Sequence, residues 1–218
     1  FHFNAHNLIV VGKEADNYLI SDPIMESITT MTSYELERVR FARGPLAPRG
    51  QLYFPREKRA VTSEQMKQAI ATGIKRNVRH MLYAPGNIAG ISGIRYTAKK
   101  IKKWRDSLGP ERSRSYLAQL VRMQEEIGTG GGGFRFIYAA FLQQAHAYHP
   151  VDELMDISKQ FTKAGDLWRD AAIQASGIYK GRLTEQQDYN VMGDYLLDIA
   201  ELEKKAFRDL ATTVKKLR

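Results

Sequence analysis

The 218-residue chain contains no cysteine. It therefore holds no disulfide framework, no thiolate metal site and no cysteine nucleophile of its own. It also has no uninterrupted apolar run of about 18 residues, the length that spans a membrane, and its start lacks the basic and apolar segments of a signal peptide. We expect a cytoplasmic protein. Because the chain begins at Phe1, directly on a strand-like run and without a methionine, we also expect it to be trimmed.

Acidic residues are scarce in one segment. The net charge of the chain is +9, from 33 Lys+Arg against 24 Asp+Glu. Between Arg95 and Arg122, nine basic residues are opposed only by Asp106 and Glu111, so this segment carries +7 of the total. The excess of cations is therefore a local feature, which a partner of negative charge would recognise.

Three lysines of this segment, Lys99, Lys102 and Lys103, are the predicted docking residues for an acidic partner. The plainer alternative is a solvated helix face, in which apolar neighbours are buried and the lysines stay in water. Nucleic acid is a rival partner, because Tyr96 and Trp104 alternate with the cations as in proteins that bind single strands. No recognised nucleic-acid-binding motif is present, so nucleic acid is the less favoured partner.

Residues 7–12 and 17–21 are apolar runs separated by a polar turn, which predicts an antiparallel β-hairpin. Their near-continuous apolar character predicts a sheet that is covered on both faces. Residues 51–54 are a candidate for one further short strand, which Pro55 would end.

The rest of the chain is helical in pattern. Thr32 or Ser33 is placed to cap a short helix through Arg40, and the Thr62-x-x-Gln65 spacing predicts a capping box on a longer helix. Apolar residues every four positions predict one stripe on that helix: Met66, Ile70, Ile74, Val78 and Leu82. Six or seven helices are expected, the later ones over about 92–107, 111–127, 134–148, 151–179 and from 184 to the C terminus. The predicted fold class is α+β, mostly α.

The two ends of the predicted hairpin carry His6 and Asp22. In an antiparallel hairpin, the residue before the first strand and the residue after the second lie at the same open end, so these side chains should approach each other. A carboxylate beside an imidazole fixes its tautomer and stabilises its protonated form, as a general base that assists a nucleophile requires. The structural alternative is a strand-edge histidine and an ordinary turn at Asp22-Pro23.

The segment 128–133 has five glycines in six residues and precedes a helix. It is not a P-loop, because no Lys-Ser/Thr follows, nor a dinucleotide fingerprint, because a helix precedes it. One interpretation is a cradle for a phosphate or phosphopantetheine arm, or a wall of an acyl site, since glycine allows positive φ and exposes N–H groups. The other is a tight helix connection in which side chains would clash. The candidate substrate-binding residues are Gly128, Thr129, Gly130, Gly131, Gly132, Gly133, Arg135 and Tyr138.

His146 and His149 lie close in sequence to Asp152 and Glu153, and histidines followed by carboxylates are a pattern that metal sites use. Pro150 breaks the helix between them, and no third ligand has a clear spacing. We therefore predict no metal.

Longer stretches resemble known families. AHNLIVVGKEADNYLISDP, residues 5–23, resembles the His–Asp hairpin of papain-like folds of the bacteriocin-processing, C39-like peptidases. IGTGGGGFRFIYAAFLQQA (127–145), AGDLWRDAA (164–172) and ELERVRFARGP (35–45) resemble the domain of unknown function that follows the N-terminal domain in the butirosin biosynthesis protein H-like family. The resemblance covers nearly the whole chain, and the glycine-rich stretch is its more specific part.

This resemblance implies the end of a papain-like domain over residues 1–31 and a helical C-terminal domain over 32–218. It implies a bacterial acyltransferase of antibiotic or secondary-metabolite biosynthesis, which passes an acyl group from an acyl carrier protein to a small amine. His6 would be the triad base and Asp22 its orienting acid, with the cysteine N-terminal to Phe1. The carrier's phosphopantetheine arm would be the only cofactor. A homo-oligomer is compatible with this expectation.

Two departures from the family pattern limit this expectation. The nucleophile is absent from the sequence, and Gly12-Lys13-Glu14 stands where Gly-Tyr-Asp is usual. Two alternative functions therefore stay open. One is a non-enzymatic helical module that binds an acidic protein or a nucleic acid, and the other is a C39-like cysteine peptidase with the same His and Asp.

Overall fold

The computed structural model describes residues 6–23, 25–44, 47–55, 60–126 and 130–217. The chain folds as two compact units, residues 1–60 and 61–218, which are taken separately below. The first helix follows the last strand without a linker and contacts the sheet, so it lies in the first compact unit. The domain boundary after residue 31 stays a prediction.

The first unit is a three-stranded antiparallel sheet followed by one short helix. Strands β1 (Ile9–Glu14), β2 (Asn17–Ser21) and β3 (Thr29–Thr32) lie in the order β1-β2-β3. Thr32 then caps helix α1 (Ser33–Arg40) through a reciprocal capping box with Glu35. The predicted hairpin and the predicted cap are both confirmed.

Two expectations for this unit are wrong, and one strand was missed. Residues 51–54 are irregular, because Gly50 is hydrogen-bonded to Arg40 through its N–H and its carbonyl, which holds the segment's start at the end of α1. The sheet is not covered on both faces in the described residues, since Ile9 and Val11 are 64% and 51% exposed. Strand β3 was not predicted, because TTMT is too short for its alternation to stand out.

The second unit is helical. It contains α2 (Ser63–Tyr83), α3 (Gly90–Leu108), α4 (Pro110–Val121), a π-helical turn (Arg122–Glu126), a short 3₁₀ turn (Gly132–Phe134), α5 (Arg135–Tyr148), α6 (Glu153–Tyr179), α7 (Gln186–Thr213) and a final 3₁₀ turn (Val214–Lys216). With α1, this gives seven α-helices in the described residues, and the α+β, mostly α class is confirmed. None of the described helices has both the length and the apolar character to cross a membrane.

Helices α6 and α7 are the two long elements around which the second unit packs. They run antiparallel, as shown by contacts that join Gln160 to Asp209 near one end and Gln174 to Asp188 near the other. One apolar core lies where the first half of α6 and the second half of α7 meet α2 and α5. The other lies where the second half of α6 and the first half of α7 meet α3 and α4. The predicted stripe of α2 supplies the first core, with Ile74 fully buried.

Candidate functional site

The hairpin brings His6 and Asp22 together. Ile9 of β1 pairs with Ser21 of β2, so the residues that flank the two strands share one end of the sheet. His6 Nε2 lies 2.8 Å from Asp22 Oδ2. The His6 side chain is 37% exposed and that of Asp22 is 17% exposed, so the imidazole is partly open to solvent. The predicted approach of the two groups is confirmed, whereas their catalytic role stays a prediction.

The orientation of the imidazole decides what this pair can do chemically. A carboxylate is only an acceptor, so the neutral imidazole donates its Nε2–H to Asp22. The lone pair is then on Nδ1, which does not face Asp22. When Nδ1 accepts a proton, the adjacent carboxylate stabilises the imidazolium that results. The pair therefore has the arrangement of a general base with an orienting acid.

The glycine-rich segment is hydrogen-bonded to a carboxylate of the protein itself, that of Glu125. Gly128 and Thr129 lie outside the described residues. The N–H of Gly132 donates to both carboxylate oxygens of Glu125, at 3.1 and 3.2 Å. Glu125 belongs to the π-helical turn that precedes the segment, so these hydrogen bonds join the turn to the glycines.

Close packing explains the glycine at position 132. Its φ is +58°, and a Cβ there would meet the Cα of Gly165 in α6 at 3.0 Å and the ring of Phe136 at 2.8 Å. The tight-connection interpretation of this segment is therefore confirmed at Gly132. Gly130, Gly131 and Gly133 also have positive φ. Substrate binding by these glycines stays a prediction.

Arg135, the first residue of α5, is engaged inside the protein. Its Nε and Nη2 donate to the two oxygens of Glu203 at 2.7 and 2.8 Å, and its Nη1 donates to the carbonyl of Gly133. Glu203 lies in α7 and is fully buried. Trp168 of α6 also donates its Nε1–H to Glu203 Oε1 at 2.8 Å, and the guanidinium lies 5.0 Å from the Trp168 ring centre. This buried ion pair joins three helices.

Tyr138 lies one turn further along α5 and faces a different environment. Its ring packs edge-on against Phe161, with centroids 4.7 Å apart, and also contacts Phe141 and Phe207. Its hydroxyl is buried without a hydrogen-bond partner among the described residues. Burial raises the pKa of Tyr138 well above its usual range. The structure thus places Arg135 and Tyr138 in separate surroundings, a polar cluster and an aromatic one.

The basic segment lies mainly on α3 and is partly neutralised by α7. Lys102 pairs with Asp194, and Arg95 pairs with Glu201. Lys99 and Lys103 are exposed, and within the described residues neither forms an ion pair. Of the three predicted docking lysines, the structure therefore leaves two available to a partner, while docking itself stays a prediction.

His146 and His149 have other contacts. His146 Nε2 lies 3.4 Å from Asp152 Oδ1, whereas the buried His149 bonds the backbone carbonyl of Lys67 at 3.1 Å. No group of three or more potential ligands comes together anywhere in the described part of the chain.

A comparison with family models matches residues 34–210 to a domain of unknown function, DUF4872. The chain belongs to the DUF4872 family. A comparison with curated proteins gave no match. The DUF4872 match extends from α1 almost to the end of α7, so it includes the glycine-rich segment and the Arg135–Glu203 pair. It does not include His6 or Asp22, which precede it.

Sequence reasoning missed Glu125 and Glu203 in the DUF4872 region. The burial of Glu203 could have been predicted from the sequence, because Glu203 lies four residues from Ile199 and four from Phe207, on the same apolar helix face. A carboxylate on an apolar helix face requires a buried partner. Glu125 left no comparable signal, because its role depends on the backbone conformation of the glycines that follow.

Replacement of Arg135 by methionine should destabilise the DUF4872 region strongly, because Glu203 would remain buried without its cation. We expect a loss of about 3–5 kcal/mol in the free energy of unfolding, measured by urea titration with circular dichroism. The matched control is Arg95→Met, which breaks a pair with Glu201, a side chain that is 65% exposed, and should cost less than about 1 kcal/mol. Equal losses in the two variants would contradict a structural role for the buried pair.

Tyr138→Phe should leave stability unchanged or raise it by up to about 1 kcal/mol, because it removes a buried hydroxyl without a partner. An unfolded tyrosine ionises near pH 10, whereas burial keeps folded Tyr138 neutral above that pH. Ionisation of Tyr138 in the unfolded chain therefore lowers the free energy of unfolding above that pH and has no effect on it below. Tyr138→Phe should therefore lose less stability above that pH than the unmodified chain does, in thermal melts across the alkaline range.

Tyr189→Phe is the control for this pair of tyrosines. Tyr189 is 2% exposed, and its hydroxyl is hydrogen-bonded to Ser113 Oγ at 2.8 Å. This variant should lose about 1 kcal/mol. A Tyr138→Phe variant that is less stable than Tyr189→Phe would show that the Tyr138 hydroxyl has a partner.

Proposed function

We propose that His6 and Asp22 are the general base and orienting acid of a thiol-dependent acyltransferase of the butirosin H-like type. The observation that carries the proposal is the 2.8 Å contact between His6 Nε2 and Asp22 Oδ2. It is supported by the resemblance of residues 5–23 to a papain-like hairpin. Because the 218 residues contain no cysteine, the thiol is supplied from outside them.

The proposed reaction has two steps. His6 Nδ1 takes the proton of the thiol, and the thiolate attacks the carbonyl of an acyl thioester, which gives an enzyme thioester. The imidazolium returns the proton to the departing carrier thiol. An amine then attacks the enzyme thioester, loses a proton through His6, and leaves as an amide while the enzyme thiol is restored.

The donor in this proposal is an acyl carrier protein, whose phosphopantetheine arm bears the acyl group, and the acceptor is a small amine. The exposed Lys99 and Lys103 of α3 provide cations for the acidic carrier. A cytoplasmic location accompanies the proposal, because a catalytic thiol stays reduced there.

The same observations are compatible with two other functions. A C39-like cysteine peptidase would use the same dyad with a peptide in place of the thioester. A non-enzymatic module would use only the basic face of α3, for which the exposed lysines are the supporting observation. The dyad is the more specific feature, because lysines at a solvated helix face need no function.

The test uses the natural polypeptide that carries this chain together with its thiol. S-acetyl-N-acetylcysteamine serves as a minimal donor and hydroxylamine as the amine, and hydroxamate formation is followed. We expect His6→Ala to lower the rate by about 10²–10⁴-fold, and Asp22→Asn to lower it less. His80→Ala, which removes an exposed histidine of α2, should have no effect.

The outcomes separate the three functions. Equal rates for His6→Ala and His80→Ala would rule out His6 as the base. Cleavage of a peptide p-nitroanilide, with no hydroxamate formed, would favour the peptidase. Absence of both activities from the unmodified protein, together with carrier binding that depends on Lys99 and Lys103, would favour the binding module.

A further inference from the structure

The helical unit contains an open cleft of about 650 Å³ that does not involve His6 or Asp22. It is bordered by the end of α4, the π-helical turn, the second half of α6 and the turn that follows α6. Its volume lies within the range of small-molecule sites, about 300–1,000 Å³. Its walls are mainly apolar, with Val121, Ala172, Ile173 and Leu183 among the lining residues.

Two arginines line this cleft, Arg169 and Arg182, against one acidic residue, Glu125. Among the described residues neither guanidinium forms an ion pair. The Glu125 carboxylate already accepts hydrogen bonds from the N–H of Gly132 and the side chain of Gln124. The lining therefore presents a net positive charge, and its one carboxylate is already engaged.

The guanidinium of Arg169 is positioned by packing. The Arg169 guanidinium lies 4.6 Å from the ring centre of Phe136, and one of its nitrogens is 3.1 Å from where a Cβ of Gly131 would sit. Glu125 Oε2 lies 3.0 Å from the same point. The glycine thus allows the guanidinium and the carboxylate to approach the same stretch of backbone.

The apolar part is built at the end of α6. The backbone N–H groups of Arg182 and Leu183 both donate to the carbonyl of Gly177, at 2.9 and 3.1 Å, which fixes the turn. A Cβ on Gly177 would lie 2.6 Å from Leu183 Cδ1, so the leucine side chain rests against the helix backbone. Ile173 remains 70% exposed at this cleft, where a bound apolar group would cover it.

From this arrangement we propose that the cleft binds a small amphipathic anion, with its carboxylate or phosphate at Arg169 and Arg182 and its hydrocarbon part against Ile173 and Leu183. Guanidinium groups bind both kinds of head group through paired N–H donors. The apolar walls favour a ligand whose body is hydrocarbon over a free inorganic anion.

The test measures binding to the 218-residue chain by isothermal titration calorimetry. The probes are octanoate and octyl phosphate, compared with 1-octanol, which lacks the charge, and inorganic phosphate, which lacks the chain. We expect saturable binding of octanoate or octyl phosphate, whichever head group fits better, and weaker binding of the other two probes. The double variant Arg169→Gln/Arg182→Gln should raise the Kd at least about tenfold.

Two further variants keep the test independent of folding. Ile173→Glu adds a negative charge at an exposed position, so it should weaken anion binding as strongly without disturbing the core. Arg208→Gln, at an exposed residue of α7 that does not line the cleft, should bind like the unmodified chain. Equal affinity for 1-octanol and the anions, full affinity in the double variant, or no saturable binding would overturn the proposal.

Discussion

The buried ion pair between Arg135 and Glu203 is the constraint on which the helical unit depends. A carboxylate in a protein interior is costly unless it is paired and hydrogen-bonded. Glu203 accepts two bonds from Arg135 and one from Trp168, so α5, α6 and α7 must keep fixed distances from one another. The interaction fixes the start of α5 against the two long helices.

The glycine-rich segment follows from this constraint. Arg135 must reach Glu203 while the chain immediately before it passes close to α6, and only a backbone with little side-chain volume fits there. Gly132 faces Gly165 and Phe136, and its N–H is taken up by Glu125. The most unusual stretch of the sequence thus serves packing at its centre, and the groups with the clearest chemistry, His6 and Asp22, belong to the other unit.

The parts of the fold that the sequence predicts are those set by local interactions. The capping boxes at Thr32 and Thr62 involve residues three apart, and the apolar period of α2 is a property of one helix, so both are visible in the sequence. The hairpin also predicts that His6 and Asp22 meet, because strand pairing has a fixed geometry. The contacts of Arg135 were not predictable, because its partner is 68 residues away in sequence and the pairing depends on how three helices pack.

The dyad itself is tested most directly by nuclear magnetic resonance of the His6 imidazole in this chain. Long-range ¹H–¹⁵N correlations at alkaline pH distinguish a protonated Nε2 from a protonated Nδ1. The proposed base predicts that neutral His6 is entirely in the Nε2–H form, with the lone pair on Nδ1. In Asp22→Ala, His6 should relax to the mixture of tautomers of a free imidazole, in which Nε2–H is the major form and Nδ1–H is detectable, while the exposed His80 is unchanged. A His6 imidazole protonated on Nδ1, or the same mixture of tautomers with and without Asp22, would contradict it.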